Sequence, residues 1–129
     1  MRNIYLLILL AASCHAAPGD AWERAMIADV AREYGLTAEQ TRLLQAIRVQ
    51  EAGRDGLEFG VAQYQPKHPA RRFAAHPERS LQVQAQWAAG TIKRHYRGNV
   101  GAFARRYVAS DQAGVWARNV TRMMERGGR

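Results

Sequence analysis

A glutamate stands where a predicted helix ends and a glycine-rich stretch begins. Glu51 follows Leu44 and Ile47 by seven and four residues, so it lies on or beside the apolar face of that helix. Partial burial disfavours a charged carboxylate, and so does the negative end of a helix dipole within one turn. Both effects predict a raised pKa for Glu51, which suits a general acid. The structural alternative is an exposed glutamate paired with Arg48 or Arg54.

The residues after Glu51 suit the approach of a polymeric ligand. Three glycines let the chain reverse and bring its backbone close to a ligand, namely Gly53, Gly56 and Gly60. Three uncharged side chains that can hydrogen-bond sugar hydroxyls follow, namely Gln63, Tyr64 and Gln65. An ordinary polar loop is the alternative interpretation. Two further acids, Asp55 and Glu58, are so near Glu51 in sequence that pairing with neighbouring basic residues is favoured over facing it across a substrate.

The stretch LLQAIRVQEAGRDGLEFGVAQYQP, residues 43–66, resembles the catalytic segment of lysozyme-like muramidases and lytic transglycosylases. In that family a helix reading Ala-Ile-x-x-x-Glu-(Ser/Ala)-Gly ends in the catalytic glutamate, and a Gly-Leu-Met-Gln-like element follows, matched here by residues 60–63. The segments 81–96, 101–107 and 116–120 resemble the later helices of the same domain. The resemblance spans residues 37–125 in the expected order. Three departures are a shorter spacing from Glu51 to Gln63, Ala52 in place of serine, and no Tyr-Asn-x-Gly element after Phe103.

The resemblance implies an enzyme that cleaves the MurNAc-GlcNAc bond of peptidoglycan, with Glu51 as general acid and base and with no cofactor. It implies substrate-binding residues at Gly60, Gln63, Tyr64, Phe103 and Tyr107, although core packing is an equal alternative for the two tyrosines. In the transglycosylase reaction one glutamate serves twice, and the muramyl 6-hydroxyl closes on C1. This single-acid chemistry is favoured over a two-carboxylate hydrolase. The alternatives are a non-catalytic peptidoglycan-binding or accessory module of an envelope-spanning apparatus, and a basic periplasmic polymer-binding protein.

The elements that must position these residues read as helices separated by glycine and proline. Capping boxes begin at Asp20 and Thr37, Ser80 is predicted to cap a long helix, and further helices are expected over 102–109 and near the C-terminus. Trp22, Trp87 and Trp116 are predicted to be core residues. The fold class is therefore mainly α, a lysozyme-like helical domain with a long irregular loop after Glu51 and a short β excursion as an option at 58–65.

The N-terminus has the layout of a secretory signal peptide over residues 1–17. Met1-Arg2-Asn3 is followed by the apolar run IYLLILLAA and then by small residues. Cleavage after Ala16 or Ala17 would remove Cys14, whereas a lipobox interpretation of residues 11–14 would make Cys14 a lipid anchor. Both outcomes stay open. The expected location is the periplasm or cell envelope, and residues 18–129 form one domain, expected to be monomeric.

The charge and the side-chain types narrow the partners. Residues 18–129 contain 18 Lys and Arg against 11 Asp and Glu. An exported basic domain meets anionic envelope polymers first, so peptidoglycan strands are expected as partners and nucleic acid is not. No metal site is expected, because His68, His76 and His95 lack metal-ligand spacing and no HExxH motif is present.

Overall fold

The computed structural model describes residues 21–53, 58–60 and 77–128. They form five helices, which are α1 (Ala21–Glu33), α2 (Ala38–Glu51), α3 (Pro77–His95), α4 (Val100–Tyr107) and α5 (Ala113–Gly127). The described ranges contain no strand, and the predicted mainly α fold is confirmed. Of the optional β excursion, residues 58–60 form a turn. The signal segment with Cys14 and the remainder of the long loop lie outside the described residues.

Helix α2 carries Glu51 as its last residue, and both of its ends are set by local contacts. At its start the Thr37 hydroxyl accepts from the Gln40 backbone N–H at 3.1 Å, and the Gln40 side chain accepts from the Thr37 N–H at 2.9 Å. The predicted capping box is therefore confirmed. At its end Ala52 adopts the left-handed conformation, with φ of 48°, and its N–H donates to the Arg48 carbonyl at 3.1 Å.

Two predicted helix starts are wrong by a few residues. Helix α3 begins at Pro77 rather than after Ser80, and a proline in the first turn costs no helical hydrogen bond. Helix α4 begins at Val100 rather than at residue 102, because the Asn99 side chain caps it by accepting from the Ala102 N–H at 2.8 Å.

The core forms where α2 packs against α1, α3 and α5, with α4 packed on α5 and α1 on α3. Its fully buried large side chains include the predicted stripe of α2, Leu43, Leu44 and Ile47. Trp116 of α5 is 4% exposed, as expected of a core residue. Trp22 and Trp87 are 44% and 42% exposed, so their prediction as core residues is wrong. The buried faces of α1 and α3 are instead made of smaller side chains such as Val30 and Ala88.

Polar contacts fix the end of α2 that lies far from Glu51. The hydroxyl of Tyr96, the residue after the end of α3, donates to a carboxylate oxygen of Glu39 at 2.6 Å, and the Lys93 amine donates to the Gly35 carbonyl at 2.8 Å. Burial and the neighbouring Glu39 carboxylate raise the pKa of Tyr96 to about 12. These contacts hold the C-terminal end of α3 beside the start of α2.

Candidate active site

Glu51 is half-buried at the C-terminal end of α2, and its carboxyl group contacts α5. The indole Nε1–H of Trp116 donates to Oε1 of Glu51 at 2.9 Å. The cation predicted as a structural partner of Glu51, Arg48, instead forms a buried ion pair with Glu23 of α1. Arg54, the other candidate, lies outside the described residues. Glu51 is therefore a half-buried carboxyl group that is hydrogen-bonded to a neutral donor, and it does not form the ion pair with Arg48 that the structural alternative predicts.

Gly60 packs closely against the same carboxyl group, at its other oxygen. A β-carbon built on Gly60 would lie 2.8 Å from Oε2 of Glu51 and 3.0 Å from its carboxyl carbon. Gly60 also has φ of +73°, a conformation that other residues adopt at a cost. The backbone conformation thus favours glycine here, and a β-carbon at this position would require the Glu51 carboxyl group to move. Each oxygen of Glu51 has its own neighbour, Trp116 for Oε1 and Gly60 for Oε2.

Burial raises the pKa of Glu51, and the Trp116 hydrogen bond, which favours the charged form, opposes that shift without cancelling it. The predicted direction of the shift is confirmed. The pKa of the Tyr107 hydroxyl is raised, first by burial and then by the nearby negative charge of Glu51. Tyr107 is therefore close enough to interact electrostatically with this carboxyl group. A half-buried carboxyl group with a raised pKa is a better candidate for a general acid than an exposed one.

The turn that delivers Gly60 is anchored from three helices through the peptide groups around Phe59. The Phe59 N–H donates to Oε1 of Gln84 on α3 at 3.3 Å, and the Tyr107 hydroxyl on α4 donates to the Phe59 carbonyl at 2.7 Å. Arg48 on α2 donates to the Glu58 carbonyl at 3.2 Å. Phe59 itself is completely buried. The backbone immediately before Gly60 is therefore fixed from both sides of Phe59.

Arg48 connects this turn to the first helix. Its guanidinium Nε–H donates to Oε1 of Glu23, while one terminal nitrogen donates to the Gly53 carbonyl at 2.9 Å as well as to the Glu58 carbonyl. Both side chains of the ion pair are almost inaccessible to water. Such a pair adds little net stability but strongly penalises the loss of either partner. The Arg48 guanidinium, held in place by Glu23, therefore fixes the two residues at the ends of the stretch from Gly53 to Glu58.

Three aromatic rings form the wall behind Glu51. Phe103 stacks on Tyr107 with ring centroids 5.3 Å apart, and Tyr107 lies 5.5 Å from Trp116 at a tilt of 33°. Phe103 is buried and also lies 6.3 Å from Trp116. These rings reduce the hydration of the carboxyl group and orient the indole that holds it. The stack thus joins α4 and α5 behind the catalytic candidate.

The structure brings together four of the six residues predicted for the site. Glu51, Gly60 and Tyr107 lie together, and Phe103 supports them from the core as a packing residue. The Tyr107 hydroxyl donates its proton to the Phe59 carbonyl rather than to solvent. Gln63 and Tyr64 lie outside the described residues.

Sequence reasoning missed the local roles of Trp116, Arg48 and Gln84. Trp116 was assigned to the core without a role at Glu51, and Gln84 was not singled out. No signal in the sequence links Trp116 or Gln84 to residues that lie 65 and 25 positions before them.

A concave region lies away from Glu51. A groove of about 480 Å³ at the N-terminal end of α2 is lined by residues that include Glu39, Arg42, Tyr96 and Asn99. Twelve residues of α2 separate Glu39 from Glu51, which corresponds to about 18 Å along the helix. This groove is therefore not where the candidate acid acts.

Comparison of the chain with protein-family models, with curated proteins and with solved structures gives no match. Within the described ranges, no helix is both long and apolar enough to cross a membrane. The same residues contain no group of three or more His, Cys, Asp or Glu side chains placed to hold a metal ion.

Proposed function

We propose that this chain is an exported enzyme that cleaves the glycan strands of peptidoglycan, with Glu51 as its general acid and base. The observation that supports the proposal is the environment of the Glu51 carboxyl group, which is half-buried and has a close neighbour at each oxygen. Burial raises the pKa of this group, Trp116 fixes one oxygen, and Gly60 leaves no space for a side chain beside the other. The group is nevertheless half-buried rather than sealed, so that a ligand can reach it.

The chemistry begins with proton transfer from Glu51 to the glycosidic oxygen, as positive charge develops on the sugar ring. The bond between C1 and that oxygen breaks, and the leaving sugar departs with the proton as a hydroxyl group. Glu51 is then an anion. It can accept the proton of the muramyl 6-hydroxyl as that oxygen bonds to C1, which yields an anhydro sugar and restores the acid. One carboxyl group thus serves both steps.

A second carboxylate across the bond is the requirement of the hydrolytic alternative. Glu58, a nearby acid in the sequence, is 4% exposed, and its backbone is fixed in the turn beneath Phe59. A buried side chain of this kind is not available to a sugar in a solvent-facing cleft. The burial of Glu58 counts against it as the second carboxylate, and Asp55, the other acid that follows Glu51, lies outside the described residues. The single-acid, transglycosylase-like reaction is therefore the one proposed.

The Glu51→Gln variant tests the proposal on purified peptidoglycan. Loss of turbidity should fall by at least about a thousandfold, because glutamine cannot donate or accept the proton. Glu125→Gln, the same change at an exposed position of α5, is the matched control and should leave turnover unchanged. Cleavage that persists in Glu51→Gln would exclude Glu51 as the acid. Mass analysis of the released fragments should find anhydro ends, and reducing ends would exclude the transglycosylase reaction.

The distribution of charge favours an additional binding function for anionic polymers. Between residues 93 and 126 the chain has eight Lys and Arg, all exposed, against two acids. If binding is the whole function, the wild-type protein should sediment with peptidoglycan without releasing fragments, and this binding should disappear as salt screens the charges. Release of fragments that stops in Glu51→Gln while sedimentation persists would instead assign turnover to Glu51 and attachment to the basic residues.

A further inference from the structure

The buried polar side chains of the described residues gather around one turn. They are Glu23, Arg48, Glu58 and Gln84, each at most 5% exposed. Arg48 joins Glu23 to the Glu58 carbonyl, and Gln84 accepts from the Phe59 N–H. Burying polar groups costs free energy unless they are well paired. These buried polar side chains therefore lie where their hydrogen bonds fix Glu58 and Phe59, the two residues that precede Gly60.

Gln84 is the most deeply buried of these four side chains. Its side chain is 0% exposed, and within the described part of the chain its Nε2 has no hydrogen-bond partner. An unsatisfied buried donor costs about 1–3 kcal/mol, a cost that an apolar side chain of similar size would avoid. The amide orientation follows from its contact, because exchanging oxygen and nitrogen would place two donors against each other at Phe59. The contribution of Gln84 is thus its acceptor oxygen.

The position of Phe59 determines where Gly60 lies relative to the Glu51 carboxyl group. Phe59 is bonded to Gly60, and Gly60 lies so close to Glu51 that an added β-carbon would be 2.8 Å from Oε2. An anchor on the Phe59 peptide therefore sets how tightly Gly60 covers the carboxyl group. Tyr107 anchors the carbonyl of the same residue from α4. Gln84 contacts neither Glu51 nor Trp116 in any hydrogen bond of the described residues.

We propose that Gln84 is a positioning residue for Glu51, which it controls through the Phe59 N–H and the close packing of Gly60 on Oε2. The kinetic part of this statement rests on the proposed function, whereas the geometric part does not. Without the Gln84 oxygen as acceptor, the Phe59 N–H forms a hydrogen bond with water instead, and the turn moves away from α3. Water then reaches the carboxyl group, its pKa falls toward the ordinary value, and less of the acid is protonated at neutral pH.

The test compares Gln84→Leu with Gln86→Leu. The second variant makes the same change two residues along α3, where Gln86 is half-exposed and contacts Glu33 at 3.5 Å instead of the turn. The indole N–H resonance of Trp116 reports the protonation of Glu51 in solution without any substrate, since the two groups are hydrogen-bonded. A pH titration of this resonance should give a lower midpoint in Gln84→Leu and an unchanged midpoint in Gln86→Leu.

Peptidoglycan turnover supplies the second readout. In Gln84→Leu we expect kcat to fall about tenfold with little change in KM, because the acid is displaced while the substrate contacts stay. Gln84→Met, whose flexible side chain fills the same space without a hydrogen-bonding amide, is the second variant and carries the test if the leucine variant does not fold. Thermal unfolding identifies folded samples.

Two outcomes would overturn the proposal. One is a folded Gln84 variant whose Trp116 resonance titrates as in the wild type. The other is a variant that loses turnover through KM alone. Absence of turnover in the wild-type protein would refute the proposed function but leave the titration as a valid test of positioning, so that the two failures are distinguishable.

Discussion

The indole N–H of Trp116 and the Oε1 atom of Glu51 are 2.9 Å apart, and 65 residues of sequence separate them. This hydrogen bond favours the ionised carboxylate, while burial favours the protonated form and has the larger effect on the pKa of Glu51. Trp116 therefore limits how far the pKa of Glu51 rises. It also fixes the direction of the carboxyl group by leaving Oε2 to face Gly60.

Replacing Trp116 with Phe should remove the hydrogen bond while keeping an aromatic ring beside Phe103 and Tyr107. The pKa of Glu51 should then rise further, and the alkaline limb of the pH–activity profile should move to higher pH. We expect kcat to fall about tenfold, because the carboxyl group loses its fixed orientation. Trp87→Phe, at an exposed position of α3, is the control. An unchanged alkaline limb in Trp116→Phe would contradict the assigned contact.

Gly60→Ala and Gly98→Ala separate backbone strain from contact with the acid. Both glycines have positive φ, +73° and +84°, but a β-carbon at Gly98 meets nothing within 4 Å. Each variant should lose about 1–2 kcal/mol of stability from strain. Gly60→Ala should also lose at least about tenfold in peptidoglycan turnover, because the new methyl group displaces the Glu51 carboxyl. Equal turnover in the two variants would show that the close approach at Gly60 is not needed for activity.

Glu51→Gln should make the protein more stable at neutral pH. The pKa of Glu51 is raised in the folded state, so the folded protein binds this proton more tightly than the unfolded chain does. The resulting stabilisation is fully present below the ordinary pKa of 4.5 and is lost as pH rises through the raised value. The stability difference between variant and wild type should therefore grow from pH 4 to pH 7 and stay below about 1 kcal/mol, since the group is half-exposed.

Urea unfolding across this pH range measures the Glu51 effect, with Glu125→Gln as the exposed control. A difference that shrinks toward neutral pH would mean that Glu51 is stabilised as an anion, contrary to the burial seen here.

The buried ion pair of Arg48 and Glu23 should be far more important for stability than the exposed pair of Arg32 and Asp29. Arg48→Met leaves a buried carboxylate without its cation and should cost about 3 kcal/mol in urea unfolding. Arg32→Met, on the surface of α1, should cost less than about 0.5 kcal/mol. Comparable losses in the two variants would show that the buried pair is no more important for stability than the exposed one.

The parts of the fold that depend on neighbouring residues could be predicted from the sequence. The capping box at Thr37 and the apolar stripe of α2 involve contacts within a few positions, and they placed Glu51 at the edge of the core with a raised pKa. The predicted start of α3 at Ser80 is wrong, because a capping-type side chain marks a possible helix start, while Pro77, where α3 begins, is itself well suited to the first turn.

The exposure of Trp22 and Trp87 was mispredicted for a different reason. Periodicity identifies one face of a helix, but it does not say how many neighbours cover that face. The sequence does not predict the hydrogen bond of Trp116 to Glu51 or that of Gln84 to Phe59, since both depend on tertiary packing alone. The sequence predicts a permissive backbone at Gly60, whereas its contact with Glu51 depends on how α3 and α4 fix Phe59 and how α2 fixes Glu58.

The anchoring of Phe59 has a consequence for the order of events during biosynthesis. Its two partners, Gln84 and Tyr107, lie 25 and 48 residues farther along the chain, and Trp116 follows later still. A ribosome makes the chain from the N-terminus, so Glu51 is synthesised long before the groups that tune its acidity. The hydrogen bond from Trp116, which favours the charged form of Glu51, can therefore form only after α5, the last helix of the described residues, has been made and has docked. The final environment of Glu51 is thus a property of the completed fold and not of α2 alone.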